Sequence, residues 1–200
     1  MVASPHHTIY LVRHGDTEWS PTRRLAGRKD LPLTATGELN ATQIGQRLAG
    51  VTFDRVWTSP LSRARRTAEL AGFGDRAVVD DRLLELDFGS YEGQMAVELR
   101  KAHPGWAYLK DGCPGGETPE DLGHRIDAFM ATWQGLTGTS LIFAHSVLLR
   151  VMAARYLGLA PGMGRHFMLK PSSISILGYD AIDDAPAIVG WNDHGHATHA

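Results

Sequence analysis

The amino-acid sequence predicts an α/β fold, a three-layer α/β/α sandwich with a mostly parallel central sheet. Short apolar runs rich in strand-forming residues alternate with longer amphipathic stretches, which is typical of strands that alternate with helices. Polar residues suited to chemistry directly follow two of these runs, at 8–12 and 140–144. Because open α/β sheets bind ligands at the carboxyl ends of their strands, we expect the functional site at that edge.

Six strands are predicted, each short and bounded by turn residues. Four of them are separate runs, at residues 8–12, 54–58, 77–79 and 140–144. The last two, at 173–179 and 187–191, are predicted to form a hairpin around Asp183-Asp184-Ala185-Pro186.

Five helices are predicted from start signals and from apolar residues at helical spacing. Three have a capping residue at the start: Thr34, Ser59 followed by Pro60, and Thr118 followed by Pro119. The second of these would place Arg63 in its opening turns, near the helix end that favours anions. The other two helices follow residues 95 and 145, and the Gly- and Pro-rich residues 103–117 are predicted to form a loop.

Composition limits the class of protein. The 200 residues fit one domain, 1–200, and 43% are hydrophobic, enough for one sizeable core. A formal net charge of −2 predicts no general attraction to nucleic acid or membranes, so an anion site must be built locally. The single cysteine excludes an internal disulfide and cysteine-cluster zinc sites. With no secretory signal and no apolar run near ~18 residues, we expect a cytoplasmic protein.

Arg13 and His14 are the strongest candidates for chemistry. Arg13 offers a fixed fork of donors suited to phosphate oxygens, and Gly15 would let the backbone approach a ligand closely. From these residues alone, His14 is a nucleophile, a general base or a buried polar residue. His145 ends the second buried strand as His14 ends the first, and Arg63 lies at a helix start. Together they predict an electropositive cup suited to a phosphoryl group, whose equatorial oxygens carry charge during transfer.

The ordered set of motifs resembles the histidine phosphatase superfamily, in its phosphoglycerate mutase-like branch. The similarity runs from about residue 8 to 192. The matching motifs are Leu-Val-Arg13-His14-Gly15-Asp-Thr-Glu-Trp, Pro32-Leu33-Thr34 with Gly37, Ser59-Pro60-Leu61-Ser62-Arg63-Ala64 with Thr67-Ala68, residues 83–93, Gly115-Gly116-Glu117-Thr118 and Ala144-His145. Within the branch, residues 89–93 and 112–117 are most similar to small broad-specificity acid phosphatases.

The resemblance implies a phosphatase that hydrolyses small phosphomonoesters through a phosphohistidine intermediate, with an acidic pH optimum. His14 would attack phosphorus, and the equatorial oxygens would be held by Arg13, Arg63 and His145. Glu85 would protonate the departing alkoxide and then take a proton from the attacking water. The resemblance implies no cofactor and no metal, because arginines take the place of Mg²⁺.

Three positions depart from the usual residues of the family. Ser146 follows the second histidine where glycine is usual, so its N–H remains and its hydroxyl adds a contact, but the backbone loses freedom. Ser20 and Ala26 stand where the family commonly has asparagine and glutamine, so either phosphate affinity is lower or Ser20 substitutes in part. The expected substrate-binding residues are Arg13, Ser20, Arg63, His145 and Ser146.

Several other residues have two interpretations. The Leu-x-Glu register favours Glu85 over Asp87 as the acid, and Glu92 is expected to hold its loop through hydrogen bonds. We expect either a substrate lid or a cap on the core at Trp106, Tyr108 and Lys110, and neither role is favoured over the other. We expect solvated chain ends rather than metal ligands at His6, His7, His194, His196 and His199, and an unreactive thiol at Cys113.

Two further functions compete with a phosphatase. Phosphoglycerate mutases of this branch carry a longer insertion with paired arginines that grip a carboxylate. Here only twenty-three residues separate Gly93 from Glu117, and Arg100-Lys101 is the nearest substitute for the pair. A catalytically inactive module would normally have lost a histidine or arginine of the set, and none is lost. The expected partner is a small phosphorylated substrate, with no nucleic acid and no membrane, and a homodimer is left open.

Overall fold

The six strands of the described chain form one twisted sheet. A computed structural model describes residues 6–197. In chain order its strands are β1 (His7–Arg13), β2 (Arg55–Thr58), β3 (Ala77–Val79), β4 (Gly138–Ala144), β5 (Ile174–Tyr179) and β6 (Pro186–Asp193). They pair in the order β3-β2-β4-β1-β5-β6. β5 runs opposite to the other five strands described, so the mostly parallel sheet and the terminal hairpin are both confirmed.

The helices fill the connections between these strands. They are α1 (Ala35–Arg47), α2 (Ser62–Leu70), α3 (Ala96–Ala102), α4 (Tyr108–Asp111), α5 (Pro119–Met130) and α6 (Ser146–Tyr156). Short 3₁₀ segments lie at Gly74–Arg76, Asp81–Leu83, Gly89–Tyr91, Ala131–Trp133 and Pro161–His166. The one-turn helix α4 lies where we expected a loop. The Asp111 carboxylate closes this turn by accepting the Ala107 N–H at 2.8 Å, a contact that apolar periodicity does not reveal.

Alternate residues of the central strands face opposite layers. Leu11 and Ile142, paired across β1 and β4, belong to the apolar core that also contains residues of α5 and α6. Their neighbours Val12 and Phe143 belong to a second core with residues of α1 and α2. A sheet buried on both faces in this way is the centre of a three-layer sandwich, as the apolar strands predicted.

The caps of two helices are as predicted, but α2 begins later than its sequence signals. Thr34 accepts the Gly37 N–H at the start of α1, and Thr118 begins α5 with a capping box. By contrast, Ser59 and Pro60 precede α2, which starts at Ser62. The Ser62 N–H is bound at 2.8 Å by the carboxylate of Asp30, which takes the place of a serine cap.

Of the histidines near the chain ends, His7 is buried, so the expectation of a solvated chain end was wrong for it, whereas His6, His194 and His196 are each partly exposed. His7 begins β1, is buried, and lies 2.5 Å from Ser140 Oγ; burial, followed by the charge of Arg55, lowers its pKa. His196 lies 2.9 Å from the Ser172 carbonyl oxygen, and His199 lies outside the described residues.

Within residues 6–197, no group of three or more His, Cys, Asp or Glu side chains is placed to hold a metal ion. None of the helices described is both long and apolar enough to cross a membrane.

Candidate active site

The carboxyl ends of β1 and β4 place the two predicted histidines side by side. The strands are adjacent and parallel, so His14 and His145 leave the same edge of the sheet, with ring centroids 5.1 Å apart. At Gly15 the close approach is by the backbone of α1 rather than by a ligand. A Cβ atom at this position would lie 2.5 Å from the Gly37 carbonyl oxygen. The glycine therefore lets α1 pack directly against the residues that follow His14.

The hydrogen bonds of His14 leave its Nε2 unprotonated. Its Nδ1–H donates to the Gly15 carbonyl oxygen at 2.7 Å, and Nε2 accepts from Arg63 Nε at 3.3 Å. Burial lowers the pKa of His14 well below its usual range, and the charges of Arg63 and Arg13 lower it further. The imidazole is therefore neutral at neutral pH, with a lone pair on Nε2 beside two guanidinium groups.

Arg63 connects His14 to residues 16–32, a polar segment that follows β1. Its side chain is fully buried in the first turn of α2, and besides the contact with His14 it donates to the carbonyl oxygens of Lys29 and Gly27, each at 2.8 Å. Glu92 holds the other side of this segment, as predicted, by accepting two of its backbone N–H groups at 2.7 and 3.1 Å. The segment therefore forms an ordered wall of the site.

Arg13 and His145 each keep a buried nitrogen without a hydrogen-bond partner in the part of the chain described. Arg13 donates to the Leu169 carbonyl oxygen at 2.5 Å, while its Nε is unpaired. His145 Nε2 lies 2.7 Å from Ser59 Oγ, while its Nδ1 is unpaired. Burial lowers the pKa of Arg13 to about 10, so it stays charged at neutral pH, and burial and Arg63 lower that of His145 well below its usual range. Buried donors normally have partners, so both unpaired atoms are available to hydrogen-bond a ligand.

Glu85 is buried at the N-terminus of α6. Its Oε1 accepts from the N–H groups of Leu86 and Leu148, both at 2.9 Å. Its Oε2 accepts only from the N–H of Val147, also at 2.9 Å. Oε2 therefore keeps the one lone pair that can still carry a proton.

These side chains meet at the base of a cavity of about 360 Å³. Arg13, His14 and Glu85 line it directly, and the fully buried Arg63 and His145 contact His14 from the interior. Four further cationic side chains line its walls: Arg23, Arg24, Arg150 and Lys170. Among the described residues that line the cavity, Glu85 is the one carboxylate, so the cavity is suited to an anion.

Both serines that were predicted as substrate ligands also line the cavity. Ser20 is held by a neighbouring backbone N–H at 3.0 Å, and Ser146 is the first helical residue of α6. Because Ser146 adopts helical backbone, the freedom of a glycine is not required at this position. Asp87 is not among the lining residues, and its carboxylate accepts a backbone N–H two residues further on at 2.8 Å. Of these two carboxylates, Glu85 therefore lines the cavity and Asp87 does not.

Comparison with known proteins identifies the family of this chain. Residues 9–194 match the family model of the histidine phosphatase superfamily (branch 1). The protein belongs to the histidine phosphatase superfamily. It is 36% identical over 181 residues to the probable phosphoglycerate mutase GpmB of Salmonella choleraesuis (strain SC-B67), across 86% of this chain and 84% of that protein.

Solved histidine phosphatase structures share the fold. The protein of the open reading frame Rv3214 from Mycobacterium tuberculosis has a TM-score of 0.87 and 31% identity, covering 93% of this chain and 97% of its own. The alpha-ribazole phosphatase from Shigella flexneri has a TM-score of 0.79 and 25% identity, covering 94% of this chain and 96% of its own. The predicted family and fold are thus confirmed, and the relatives include proteins named as phosphatases and as a mutase.

Several residues of this histidine phosphatase site were not predicted from the sequence. Ser59, interpreted as a helix cap, instead contacts the ring of His145. Arg150 was overlooked, although a charged residue within the apolar run 147–154 was a visible signal. Of the three residues with an open role, Tyr108 lines the cavity. The other two have local partners instead: Trp106 donates to the Gly112 carbonyl oxygen at 2.9 Å, and Lys110 lies 3.4 Å from Asp111.

Proposed function

We propose that this protein is an acid phosphatase that hydrolyses small phosphomonoesters through a phosphohistidine intermediate. The observation that carries the proposal is the neutral His14, whose Nε2 lone pair lies beside the Arg63 and Arg13 guanidinium groups at the base of a cavity suited to an anion. A neutral imidazole is a nucleophile, whereas an imidazolium is not. The proposal includes a cytoplasmic location, no cofactor and no metal.

In the first step, His14 Nε2 attacks phosphorus in line, and the bond from phosphorus to the alcohol oxygen breaks. Arg63 Nε, which donates to His14 before substrate binds, would donate to a phosphoryl oxygen instead. Arg13 Nε and His145 Nδ1, which lack partners in residues 6–197, would supply further donors. Glu85 would give the proton on its Oε2 to the departing oxygen.

In the second step, water attacks the phosphohistidine. Glu85, ionised by the first step, takes a proton from this water, and His14 returns to its neutral form when the phosphorus–nitrogen bond breaks. Arg13 and Arg63 offset the negative charge that develops on the phosphoryl oxygens in both steps. Each preorganised donor of this kind contributes about 10²–10³ in rate.

The test is to trap the intermediate. Rapid quenching of the enzyme with ³²P-labelled substrate should yield an acid-labile, base-stable adduct that maps to His14. His14→Ala should remain folded and lose both the adduct and essentially all turnover. Label on Ser62 or on any other residue would contradict the mechanism.

Phosphoglycerate mutase is a second candidate, because Arg23 and Arg24 both line the cavity. Adjacent arginines can bind a carboxylate, and this pair precedes the acid motif in the sequence rather than following it. A mutase must also exclude water until the phosphohistidine is used, and residues 112–116 form a short glycine-rich segment where mutases have more cover. We therefore expect hydrolysis to dominate.

Incubation with 3-phosphoglycerate distinguishes the two functions. A phosphatase should release inorganic phosphate, slowly or not at all, and form little 2-phosphoglycerate, while hydrolysing several unrelated phosphomonoesters. Efficient interconversion of the two phosphoglycerates with negligible phosphate release would decide for the mutase. Arg23→Gln should then abolish interconversion, whereas Arg100→Gln, on the exposed surface of α3, is the matched control.

A further inference from the structure

Tyr108 and Arg150 form a hydrogen-bonded pair in the wall of the cavity. Arg150 Nη1 donates to Tyr108 Oη at 3.0 Å, and both residues line the cavity. Both also interact electrostatically with the guanidinium of Arg13, which the proposed mechanism assigns to the phosphoryl group. The pair therefore lines the same cavity as the phosphoryl position, and the leaving group must lie in this cavity too.

The Arg150 side chain is buried and held in one orientation. Its Nε donates to the Gly164 carbonyl oxygen and its Nη2 to the Arg165 carbonyl oxygen, each at 3.0 Å. None of the ion pairs between residues 6–197 includes Arg150, so its charge acts on Tyr108 and on whatever occupies the cavity. A nearby positive charge polarises a hydroxyl group that accepts from it and makes that hydroxyl a stronger donor.

The Tyr108 hydroxyl has a proton left to donate. Its oxygen accepts from Arg150, and no described residue accepts its O–H. Edge contacts with Phe88 and Trp106, at ring-centroid distances of 5.6 and 6.2 Å, fix the position of the ring. A rigid aromatic ring with an unused donor at a cavity wall is suited to selecting a ligand by one hydrogen bond.

We propose that Tyr108 recognises the leaving alcohol, by donating a hydrogen bond to a second oxygen that this alcohol carries near the ester. Arg150 is the positioning residue that aims the hydroxyl and strengthens it. The preferred substrates are then phosphomonoesters of hydroxylated alcohols rather than of plain alkyl alcohols. This inference rests on the proposed phosphatase function and assigns its leaving-group specificity.

A matched pair of esters tests the assignment. Glycerol 3-phosphate and propyl phosphate have the same carbon chain, and only the first carries further oxygens. The wild-type enzyme should have the higher kcat/KM for glycerol 3-phosphate. Tyr108→Phe should lower that value about tenfold, which corresponds to about 1.4 kcal/mol, and should lower the value for propyl phosphate less than twofold.

Two further variants separate recognition from a structural role. Tyr91→Phe makes the same change in the same aromatic cluster, 5.1 Å from the Trp106 ring, but away from the cavity lining, and should leave the preference intact. Arg150→Lys keeps the charge but loses the fixed fork, and should reduce the preference for glycerol 3-phosphate. If that variant fails to fold, Tyr108→Phe still decides the question.

The outcomes for specificity and for activity are distinguishable. If the wild type hydrolysed neither ester nor p-nitrophenyl phosphate, the proposed function would be wrong. Calorimetric binding of the two esters to His14→Ala, with and without Tyr108→Phe, would still test the tyrosine. A tenfold weaker Kd for glycerol 3-phosphate alone would support the assignment. Equal losses on both esters, or none on either, would overturn it.

Discussion

Replacing Glu85 by glutamine tests the acid–base step and its dependence on three backbone contacts. Two N–H groups donate to Oε1 and one, from Val147, donates to Oε2. A glutamine oxygen can take the place of Oε1, but its NH₂ group would then face the Val147 N–H, with two donors about 2.9 Å apart. The variant therefore loses both the transferable proton and one hydrogen bond.

These two losses have different magnitudes and different readouts. Loss of a general acid slows cleavage of an ester with a poor leaving group by about 10²–10⁴-fold. An unsatisfied buried donor costs about 1–3 kcal/mol of folding stability, and each kcal/mol lowers the Tm of a protein of this size by about 2–4 °C. A typical domain is stable by about 5–15 kcal/mol, so Glu85→Gln should remain folded.

The assay compares kcat/KM for propyl phosphate and p-nitrophenyl phosphate. For each ester, kcat/KM depends only on the steps up to departure of the alcohol. The p-nitrophenolate ion departs without needing a proton. Glu85→Gln should therefore lose at least about 10² on propyl phosphate and less than about tenfold on p-nitrophenyl phosphate. Asp87→Asn, a matched change outside the cavity lining, should leave both values within severalfold of wild type.

Either of two results would refute this reasoning. Equal losses of Glu85→Gln on the two esters would remove Glu85 from the acid role, because a missing proton affects only the poor leaving group. A selective loss in Asp87→Asn, with none in Glu85→Gln, would transfer that role to Asp87.

Three further predictions concern the contact between Ser59 and His145, the pH dependence of stability, and metal independence. Ser59→Ala should lower kcat/KM about tenfold by releasing the His145 ring, held at 2.7 Å, and unchanged kinetics would contradict this. His14 and His145 stay neutral when folded because burial and the arginines lower their pKa below 6.5, so the unfolded chain binds more protons as the pH falls. The free energy of unfolding should therefore be constant above about pH 6.5 and decrease below that pH, by about 1.4 kcal/mol per pH unit for each histidine. Equal denaturant midpoints at pH 5 and pH 7 would contradict this prediction. EDTA should leave hydrolysis unchanged and vanadate should inhibit it, and rescue of dialysed, inactive enzyme by Mg²⁺ or Zn²⁺ would refute metal independence.

The sequence by itself determined the fold and the residues at the strand ends. Apolar runs such as 140–144 and caps such as Thr34 and Thr118 are local signals, so they identified strands and helix starts without tertiary information. The meeting of His14 and His145 also followed, because two parallel buried strands deliver the residues after them to one edge of the sheet.

The tertiary structure alone decided how those residues are held and what surrounds them. Ser59 and His145 are 86 positions apart, and Tyr108 and Arg150 are 42 apart, so no local pattern links either pair. Ser59 carries a helix-cap signal, yet Asp30 binds the first N–H of α2, and the serine hydroxyl lies 2.7 Å from His145 Nε2 and 3.4 Å from the Leu61 nitrogen. Local propensity predicts a cap wherever one can form, but a hydroxyl bonds to whichever partner the packed chain brings closest.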